Sequence, residues 1–265
     1  MRELCHTLRQ EIAGLVLPMG CAGCGCPRTR DGLCDECSSV LTGAVPRRVW
    51  PSPVPSGLPP VYGTLPYADE ARATLLAHKE RGALRLAAPL GAALAGAVRA
   101  AAAGPVPGRL RDRWGRQEGR QEDRQRGLRG PRGGQGRESA RALVLVPVPS
   151  ARRATARRGH DPVRRIARAA AARLRRDGVP ARMLPVLRQR RAVADQAGLT
   201  AAQRAENLRG ALEVVPGVGS LLTAEETVLV DDLMTTGASL AEAARALGGV
   251  TGAAVLAVRT GSRAD

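Results

Sequence analysis

Aromatic side chains are almost missing from this 265-residue chain, which contains no Phe, two Trp and two Tyr. The apolar interior must therefore be built from Ala, Leu and Val, which favours helices packed tightly against a sheet. A hydrophobic content of 44% is enough for a core, and the length allows one large domain or two modest ones. The scarcity of aromatics also weakens any function in which nucleic-acid bases stack on side chains.

Lysine is nearly absent as well, since Lys79 is the only lysine among 41 basic residues. The formal net charge is nevertheless +17, and a field of this sign attracts polyanions and phosphorylated ligands. An excess of Arg, Ala and Gly is also typical of a GC-rich genome. The choice of Arg over Lys therefore does not indicate nucleic-acid binding, and only the sign and size of the charge favour it weakly.

Apolar segments long enough for export or membrane insertion are not found. Residues 1–18 place charged side chains among leucines spaced for an amphipathic helix, unlike the apolar core of a signal peptide. The Ala-rich run at residues 86–98 is too short to span a bilayer and contains Pro89. We therefore predict a cytoplasmic protein with no membrane span.

Composition divides the chain into three parts. Residues 1–45 are predicted to form an N-terminal helix and a cysteine-rich module. Residues 46–60 form a Pro-rich spacer, which we expect neither to enter a sheet nor to continue a helix. Residues 61–265 alternate apolar runs with helical stretches, the pattern of an α/β domain.

One segment interrupts that α/β pattern. Residues 104–141 are rich in Arg, Gln and Gly and nearly devoid of aliphatic side chains, so they cannot bury enough apolar surface to offset chain entropy. We predict a disordered insertion. It is either a solvated linker or an RGG-like nucleic-acid segment, and its interspersed acids and single Trp114 favour the linker.

Alternating elements after the insertion predict a parallel sheet joined by right-handed crossovers. The expected strands lie at 143–148, 228–230 and 253–258, with a short apolar segment at 183–187, and the expected helices lie at 162–176, 200–208 and 239–247.

The most informative stretch, residues 227–239, reads TVLVDDLMTTGAS. Its β-branched start is typical of a central parallel strand, and an Ala/Leu-rich helical pattern follows. Asp231 and Asp232 are therefore predicted at the carboxyl end of a strand, where ligands bind in open α/β sheets. Two adjacent carboxylates there suit a ribose diol, or a magnesium ion held through water.

The turn after the two acids suits a monophosphate, because it offers hydroxyls, backbone N–H groups and a helix N-terminus. Its residues are Thr235, Thr236, Gly237, Ala238 and Ser239. Gly237 lets the chain turn where a Cβ would collide with the ligand or the turn. The alternative is an ordinary strand, turn and helix with a capping Thr, which would not require two acids, two threonines and a glycine in this order.

Two C-x2-C pairs predict a structural zinc site with the ligands Cys21, Cys24, Cys34 and Cys37. In a cytoplasmic chain such pairs usually form a tetrahedral site. Four thiolates would leave no coordination position for a catalytic water. Cys26 either replaces Cys24 or stands outside the site, and we expect the second. We expect Cys5, next to His6, to be a packed residue of the N-terminal helix.

A basic loop is predicted where the strand at 143–148 ends. It contains Arg152, Arg153, Arg157 and Arg158. Guanidinium groups match phosphate oxygens, so a loop of this kind at a strand's carboxyl end can neutralise a diphosphate. The alternative is a solvated, basic start of a helix. The ribose-phosphate pattern farther along the chain favours the diphosphate site.

Taken in order, these motifs resemble the ComF/GntX family of competence proteins, which join an N-terminal zinc finger to a type I phosphoribosyltransferase domain. The resemblance covers nearly the whole chain except residues 104–141. Besides the cysteine pairs, it is carried by Tyr67, residues 75–82 with Lys79, the Val-Pro-Val-Pro run ending at Pro149, Arg157 to Gly159, residues 196–199, Arg204 with Asn207, and the Asp231–Asp232 loop.

The resemblance implies a type I phosphoribosyltransferase-like parallel sheet flanked by helices, with a small zinc-ribbon-like module. It implies phosphoribosyl pyrophosphate (PRPP), bound with magnesium, as the ligand. The two acids would contact the ribose hydroxyls and the following loop would hold the 5-phosphate. The residues that would lie at or near the diphosphate are Arg152, Arg153, Arg158 and Lys79.

Three functions are compatible with this family. The first is binding of PRPP or a related ribose phosphate together with a role in DNA uptake during natural transformation, beside single-stranded DNA and a helicase-like partner. The second is an active transferase that releases diphosphate, and the third is a PRPP-sensing regulator.

The chain departs from the family pattern at two places. His160-Asp161 stands where family members commonly carry Phe-Asn. Thr235 stands where purine-salvage enzymes of the wider fold have a third acid, which argues against general base catalysis.

Overall fold

A computed structural model describes residues 20–27, 29, 32–104, 142–191, 193, 200–218, 222, 226–259 and 263–264. Several predicted features lie outside these residues: the N-terminal helix with Cys5 and His6, almost all of the insertion, and the motif at 196–199.

The fold is built on a seven-stranded sheet in the order β4-β3-β7-β8-β2-β1-β9. The strands are β1 Arg47–Trp50, β2 Val61–Pro66, β3 Leu143–Pro147, β4 Ala181–Met183, β7 Glu226–Met234, β8 Gly252–Val258 and β9 Arg263–Ala264. The first five strands in this order run parallel, while β1 is antiparallel to both of its neighbours. The predicted α/β class with a largely parallel sheet is thus confirmed.

Helices cover both faces of the sheet. They are α1 Asp35–Gly43, α2 Asp69–Glu80, α3 Ala87–Ala103, α4 Arg152–Arg158, α5 Pro162–Arg176, α6 Ala201–Leu208 and α7 Ala238–Leu247. Buried residues of α3 and α5 pack with alternate residues of the central strands on one face. The other face packs against α7 and against an antiparallel hairpin of β5 Leu187–Gln189 and β6 Leu212–Val214.

Small side chains let α3 and α5 approach closely. A Cβ added at Gly91 of α3 would lie 2.5 Å from the Cβ of Ala169 and 2.8 Å from the backbone of α5. Buried alanines such as Ala93 and Ala170 line the same core. The interior is therefore filled by Ala, Leu and Val, as expected for a chain without Phe.

The hairpin is fixed to α7 by a buried carboxylate. Glu242 accepts a hydrogen bond from the N–H of Leu212 at 3.1 Å, and Arg245 donates both to Glu242 and to the carbonyl of Leu212. Burial alone would raise the pKa of Glu242, but the Arg245 guanidinium and the Leu212 N–H lower it. This network holds α7 in place, and with it the loop at its N-terminus.

One expectation about strands was wrong. Arg47–Trp50, inside the Pro-rich spacer, enters the sheet as β1 because Pro46 and Pro51 flank the strand without interrupting it. The short apolar segment predicted at 183–187 contains the end of β4 and the start of β5, which Pro185 separates.

The apolar helix considered in the sequence is longer than expected. Leu84–Ala103 is a 20-residue segment that is long and apolar enough to cross a membrane; its most apolar 18 residues have a mean hydropathy of 1.5, and 50% of them are buried within the protein. Its buried side chains, such as Leu90 and Leu94, belong to the core between α5 and the sheet. Packing of this kind is typical of the central helix of a globular α/β domain.

Candidate functional site

The two adjacent acids lie at the carboxyl edge of the sheet. Pairing of β7 with β3 ends at Val230, whereas its pairing with β8 continues through Asp231 to Met234. The acids are therefore held inside a hydrogen-bonded strand that projects beyond β3. The sequence predicted them at the carboxyl end of a strand, and the structure confirms this position but extends the strand to Met234, past both acids, at the edge where α/β folds bind ligands.

Asp232 forms an ion pair with the only lysine of the chain. The Nζ of Lys79, in the last turn of α2, lies 2.8 Å from Oδ2 of Asp232. The Asp232 side chain is 7% exposed and that of Lys79 is 31% exposed. Burial opposes the charge on Lys79, but the carboxylates of Asp232 and Asp231 raise its pKa above the ordinary value. Lys79 and the acid pair, predicted from separate motifs, are thus brought together.

Asp231 has a different environment from its neighbour. Its Oδ1 accepts a hydrogen bond from the N–H of Asp232 at 2.8 Å. Desolvation of the carboxyl group, followed by repulsion from Asp232, raises the pKa of Asp231 well above its ordinary value, and Lys79 offsets only part of this. Asp231 therefore keeps a proton to higher pH than an ordinary aspartate does.

The predicted phosphate loop leads directly into α7. Thr235, Thr236 and Ser239 are partly exposed, and Gly237, with φ of 72°, caps the helix without a side-chain hydrogen bond. The first N–H groups of α7 therefore face the loop, which is an arrangement that favours an anion. A Cβ at Gly237 would lie 3.2 Å from both Leu58 and Pro51, so the spacer packs against the glycine.

The predicted basic loop is a short helix, α4, whose last arginine is already paired. Arg158 is 11% exposed, with its Nη2 2.9 Å from Oε1 of Glu80 and its Nε 3.1 Å from Oε2. Arg157 lies 3.5 Å from the same carboxylate and is 75% exposed. Arg152 and Arg153 begin the helix, and their side chains lie outside the described residues.

Glu80 and two histidines are site residues that sequence analysis missed. The ring Nε2 of His160 lies 3.2 Å from the carbonyl oxygen of His78, and its Nδ1 lies 3.1 Å from that of Arg158. Burial lowers the pKa of His78. The only available signal for Glu80 was its position directly after Lys79.

The C-terminus of α2 therefore joins the two halves of the candidate site. Lys79 reaches the acid strand β7, and Glu80 reaches Arg158 of α4. His78 contacts the loop between α4 and α5 through His160. Side chains that are 78 or more positions apart in the chain are thus assembled at one place.

The cysteine module brings four sulfurs together. The Sγ atoms of Cys21, Cys24, Cys26 and Cys34 all lie within 4.8 Å of one another. The sulfurs of Cys24 and Cys34 are 3.6 Å apart, which fits the edge of about 3.8 Å of a tetrahedron with zinc–sulfur bonds of about 2.3 Å. Cys26, expected to stand outside the site, is part of this cluster, because the turn closed by Cys21 N–H and Cys26 C=O folds its side chain inward.

Cys37, in helix α1, also lies next to this cluster. It is 3% exposed in α1, its N–H donates to Cys34 Sγ at 3.4 Å, and its thiol is within hydrogen-bonding reach of Cys21, Cys34 and Cys24. Burial alone would raise the pKa of Cys21, but backbone N–H groups that point at its sulfur lower it to about 6. Partial burial and the neighbouring thiols raise the pKa of Cys26 to about 12.

The donor set suits a thiophilic metal such as zinc. Four clustered sulfurs, of which that of Cys21 has a pKa lowered to about 6, are the kind of ligands that a structural zinc ion prefers. The cluster is held by a knuckle at 21–26 and by the N-terminus of α1, where Cys34 caps the helix. The cysteine part of the sequence prediction is thus confirmed as a cluster that is able to bind metal.

Comparison of the chain with models of known protein families gives no match. No curated protein matches its sequence either.

Proposed function

We propose that this protein is a ComF-like protein whose α/β domain, of the type I phosphoribosyltransferase kind, binds PRPP or a related ribose phosphate. The observation that carries the proposal is the acid pair at the carboxyl edge of a parallel sheet, followed directly by a glycine-capped helix N-terminus. The same resemblance assigns Lys79 and Arg158 to the diphosphate. Lys79 contacts Asp232, and Glu80, which follows Lys79 at the end of α2, contacts Arg158.

Each part of the site has a chemical role in this proposal. Asp231 and Asp232 accept hydrogen bonds from ribose hydroxyls, and the N–H groups at the start of α7 hold the 5-phosphate. Lys79 and Arg158 neutralise the diphosphate. Magnesium that arrives with PRPP would find hard oxygen ligands in the two carboxylates, and there it would screen the charge of the phosphates.

The cysteine cluster has a structural role in the same proposal. A zinc ion bound by thiolates alone has no open position for substrate, so it would stabilise the module and take no part in chemistry. The module and the exposed arginines of α5, such as Arg168 and Arg176, would provide a surface for single-stranded DNA and a helicase-like partner. We propose DNA uptake in the cytoplasm as the process served.

A second candidate, an active transferase that releases diphosphate, is favoured by the state of Asp231. A carboxyl group with a raised pKa accepts a proton more readily than an ordinary aspartate, and the turn itself provides no third acid. Diphosphate release from PRPP in the presence of candidate bases and amines distinguishes an enzyme from a binding protein or a PRPP-sensing regulator.

Calorimetric titration with PRPP and magnesium tests the binding site. The double variant Asp231→Asn/Asp232→Asn should lose at least about a hundredfold in affinity, since two hydrogen bonds to charged acceptors contribute about 1.5 kcal/mol or more each. The matched control is Asp177→Asn, which removes a carboxylate at the opposite edge of the sheet, where α5 ends before β4. Equal affinity in the unmodified chain, the double variant and the Asp177→Asn control would show that the acids do not bind the ribose.

Binding of single-stranded DNA is tested by its dependence on salt. Phosphate contacts release counterions, so affinity should fall steeply between about 50 and 200 mM salt. An affinity that is constant over this range would rule out the proposed DNA surface.

A further inference from the structure

Five sulfurs, rather than four, surround the metal site proposed above. Cys21, Cys24 and Cys34 belong to the set whose sulfurs lie within 4.8 Å of one another. The N–H of Cys37 donates to Cys34 Sγ at 3.4 Å, and the Cys37 thiol interacts with the same three sulfurs. Cys26 completes the first set. A structural zinc ion takes four ligands, so the fourth place has two candidates.

The two candidates are held by different parts of the fold. Cys37 lies in α1, is almost fully buried, and packs so tightly against the knuckle that a Cβ at Gly23 would lie 2.8 Å from its sulfur. Cys26 lies in the knuckle itself, is partly exposed, and follows Gly25, whose φ of 80° completes the turn. The thiol of Cys26 interacts with those of Cys24 and Cys34, two of the sulfurs that Cys37 also reaches.

We infer that Cys21, Cys24 and Cys34 are constant ligands of the metal and that Cys26 and Cys37 share the fourth place. Either thiolate completes a tetrahedron on the same three sulfurs, so the loss of one is compensated by the other. The ion then remains bound while one of the two cysteines is displaced. This inference rests on the metal site proposed above and is independent of the ribose-phosphate site.

Cobalt substitution of the full chain tests the shared place. Absorption by thiolate-to-cobalt charge transfer scales with the number of bound thiolates. Cys26→Ser and Cys37→Ser should each bind one equivalent of Co²⁺ with the intensity of the unmodified chain. The double variant should lose about a quarter of that intensity, because three thiolates remain of four. Cys34→Ser is the matched control. It removes a constant ligand but keeps both Cys26 and Cys37, and its charge-transfer intensity should fall below that of the unmodified chain.

A second measurement uses the unmodified chain and needs no variant. In the unmodified chain loaded with ¹¹³Cd²⁺, a proton–cadmium correlation spectrum should contain the β-protons of both Cys26 and Cys37. Signals from only one of the two would overturn the inference, as would a loss of a quarter of the cobalt intensity in either single variant. A chain that binds neither Co²⁺ nor Cd²⁺ would overturn both this inference and the metal site itself.

Discussion

Two adjacent aspartates in one strand have opposite electrostatic environments. The buried Asp232 has Lys79 at 2.8 Å, whereas the half-buried Asp231 lies beside the Asp232 carboxylate, and desolvation and repulsion raise its pKa. A strand that served only the fold would not need this repulsion, because asparagine could accept the same backbone hydrogen bond. The repulsion lowers the stability of the fold, and a ligand that brings a positive charge or hydroxyl donors to the two carboxylates would relieve it.

We expect Asp231→Asn to raise the thermal midpoint of the ligand-free protein at neutral pH. The folded-state pKa of Asp231 is raised, so its protonation stabilises the fold below the unfolded pKa, and that stabilisation is lost as pH rises toward the folded value. Asparagine stays neutral at every pH. The advantage of the variant, measured by melting curves between about pH 5 and 8, should therefore increase with pH.

The matched control for this variant is Asp232→Asn on the neighbouring residue. It removes the partner of Lys79 and should not stabilise the protein to the same extent, since an ion pair is lost together with the repulsion. If Asp231→Asn is no more stable than the unmodified chain at any pH in this range, the environment that we describe for Asp231 is wrong.

Glu80 forms an ion pair with Arg158, the arginine that we assign to the diphosphate. In the ligand-free protein Arg158 donates to both oxygens of Glu80, so a diphosphate must displace this carboxylate or bind against its charge. Glu80 is 37% exposed, and a pair of this kind contributes about 0.2 to 1 kcal/mol. Glu80→Gln should therefore bind inorganic diphosphate about 1.4- to fivefold more tightly in calorimetry.

Glu213→Gln is the matched control for Glu80→Gln. It removes a carboxylate of similar exposure, 35%, that pairs with Arg188 in the hairpin. This variant should bind diphosphate with unchanged affinity. If both variants bind more tightly by the same factor, the cause is the net charge of the protein and not the release of Arg158.

Among the elements, the crossing of α3 and α5 depends most directly on the small residues of this sequence. Gly91→Ala would place a methyl group 2.5 Å from Ala169 Cβ and 2.8 Å from the backbone of α5, so a helix would have to move. Such overpacking costs about 1 to 3 kcal/mol, which outweighs a gain in helix propensity of about 1 kcal/mol. We expect a lower thermal midpoint for this variant.

Gly96→Ala, on the same helix, provides the comparison. Its added Cβ would lie 3.2 Å from the ring of Pro46 and meet no backbone, while the gain in helix propensity is the same. This variant should be more stable than Gly91→Ala by about 1 to 3 kcal/mol in denaturant unfolding. Equal stability of the two variants would contradict the tight crossing.

Elements whose ends are marked locally were the ones that sequence predicted best. The bounds of α5 at 162–176 were confirmed because Asp161 caps the helix and Pro162 suits its first turn. The capping box at Thr200 and Gln203 likewise marked the start of α6. Strand β1 was missed, because its proline-rich surroundings argue against a strand and only pairing with β2 forms it.

The candidate site was predictable only in its separate parts. The acid pair and the phosphate turn are consecutive residues, so their order alone indicated a ligand site. The pairing of Glu80 with Arg158 joins positions 78 apart, and that of Lys79 with Asp232 joins positions 153 apart. Such contacts depend on how helices pack on the sheet, and no local pattern records them. Cys26 was misjudged for the same reason, since spacing does not show where a turn points a side chain.

At the scale of the whole molecule, the cysteine module and the sheet share one core. Cys21, Leu33, Cys37 and Leu41 are buried in the same cluster as the apolar face of α3 and the central strands. Gly32 and Gly23 pack against Leu86 and α2 respectively. A metal that orders the cysteines therefore also supports the packing of the α/β domain. Sequence composition had suggested two separate modules.

Metal removal should consequently lower the stability of the whole protein. If metal is present at about a thousand times its dissociation constant, binding contributes about 4 kcal/mol, which corresponds to roughly 10 °C in the thermal midpoint of a chain of this size. Because the core is shared, we expect chelation to shift one cooperative transition, measured by circular dichroism, and to speed amide exchange in α3. Readdition of zinc should restore both. A separate low-temperature transition, with α3 and the sheet protected as before, would show that the module unfolds alone and that the shared core does not couple it to the ligand site.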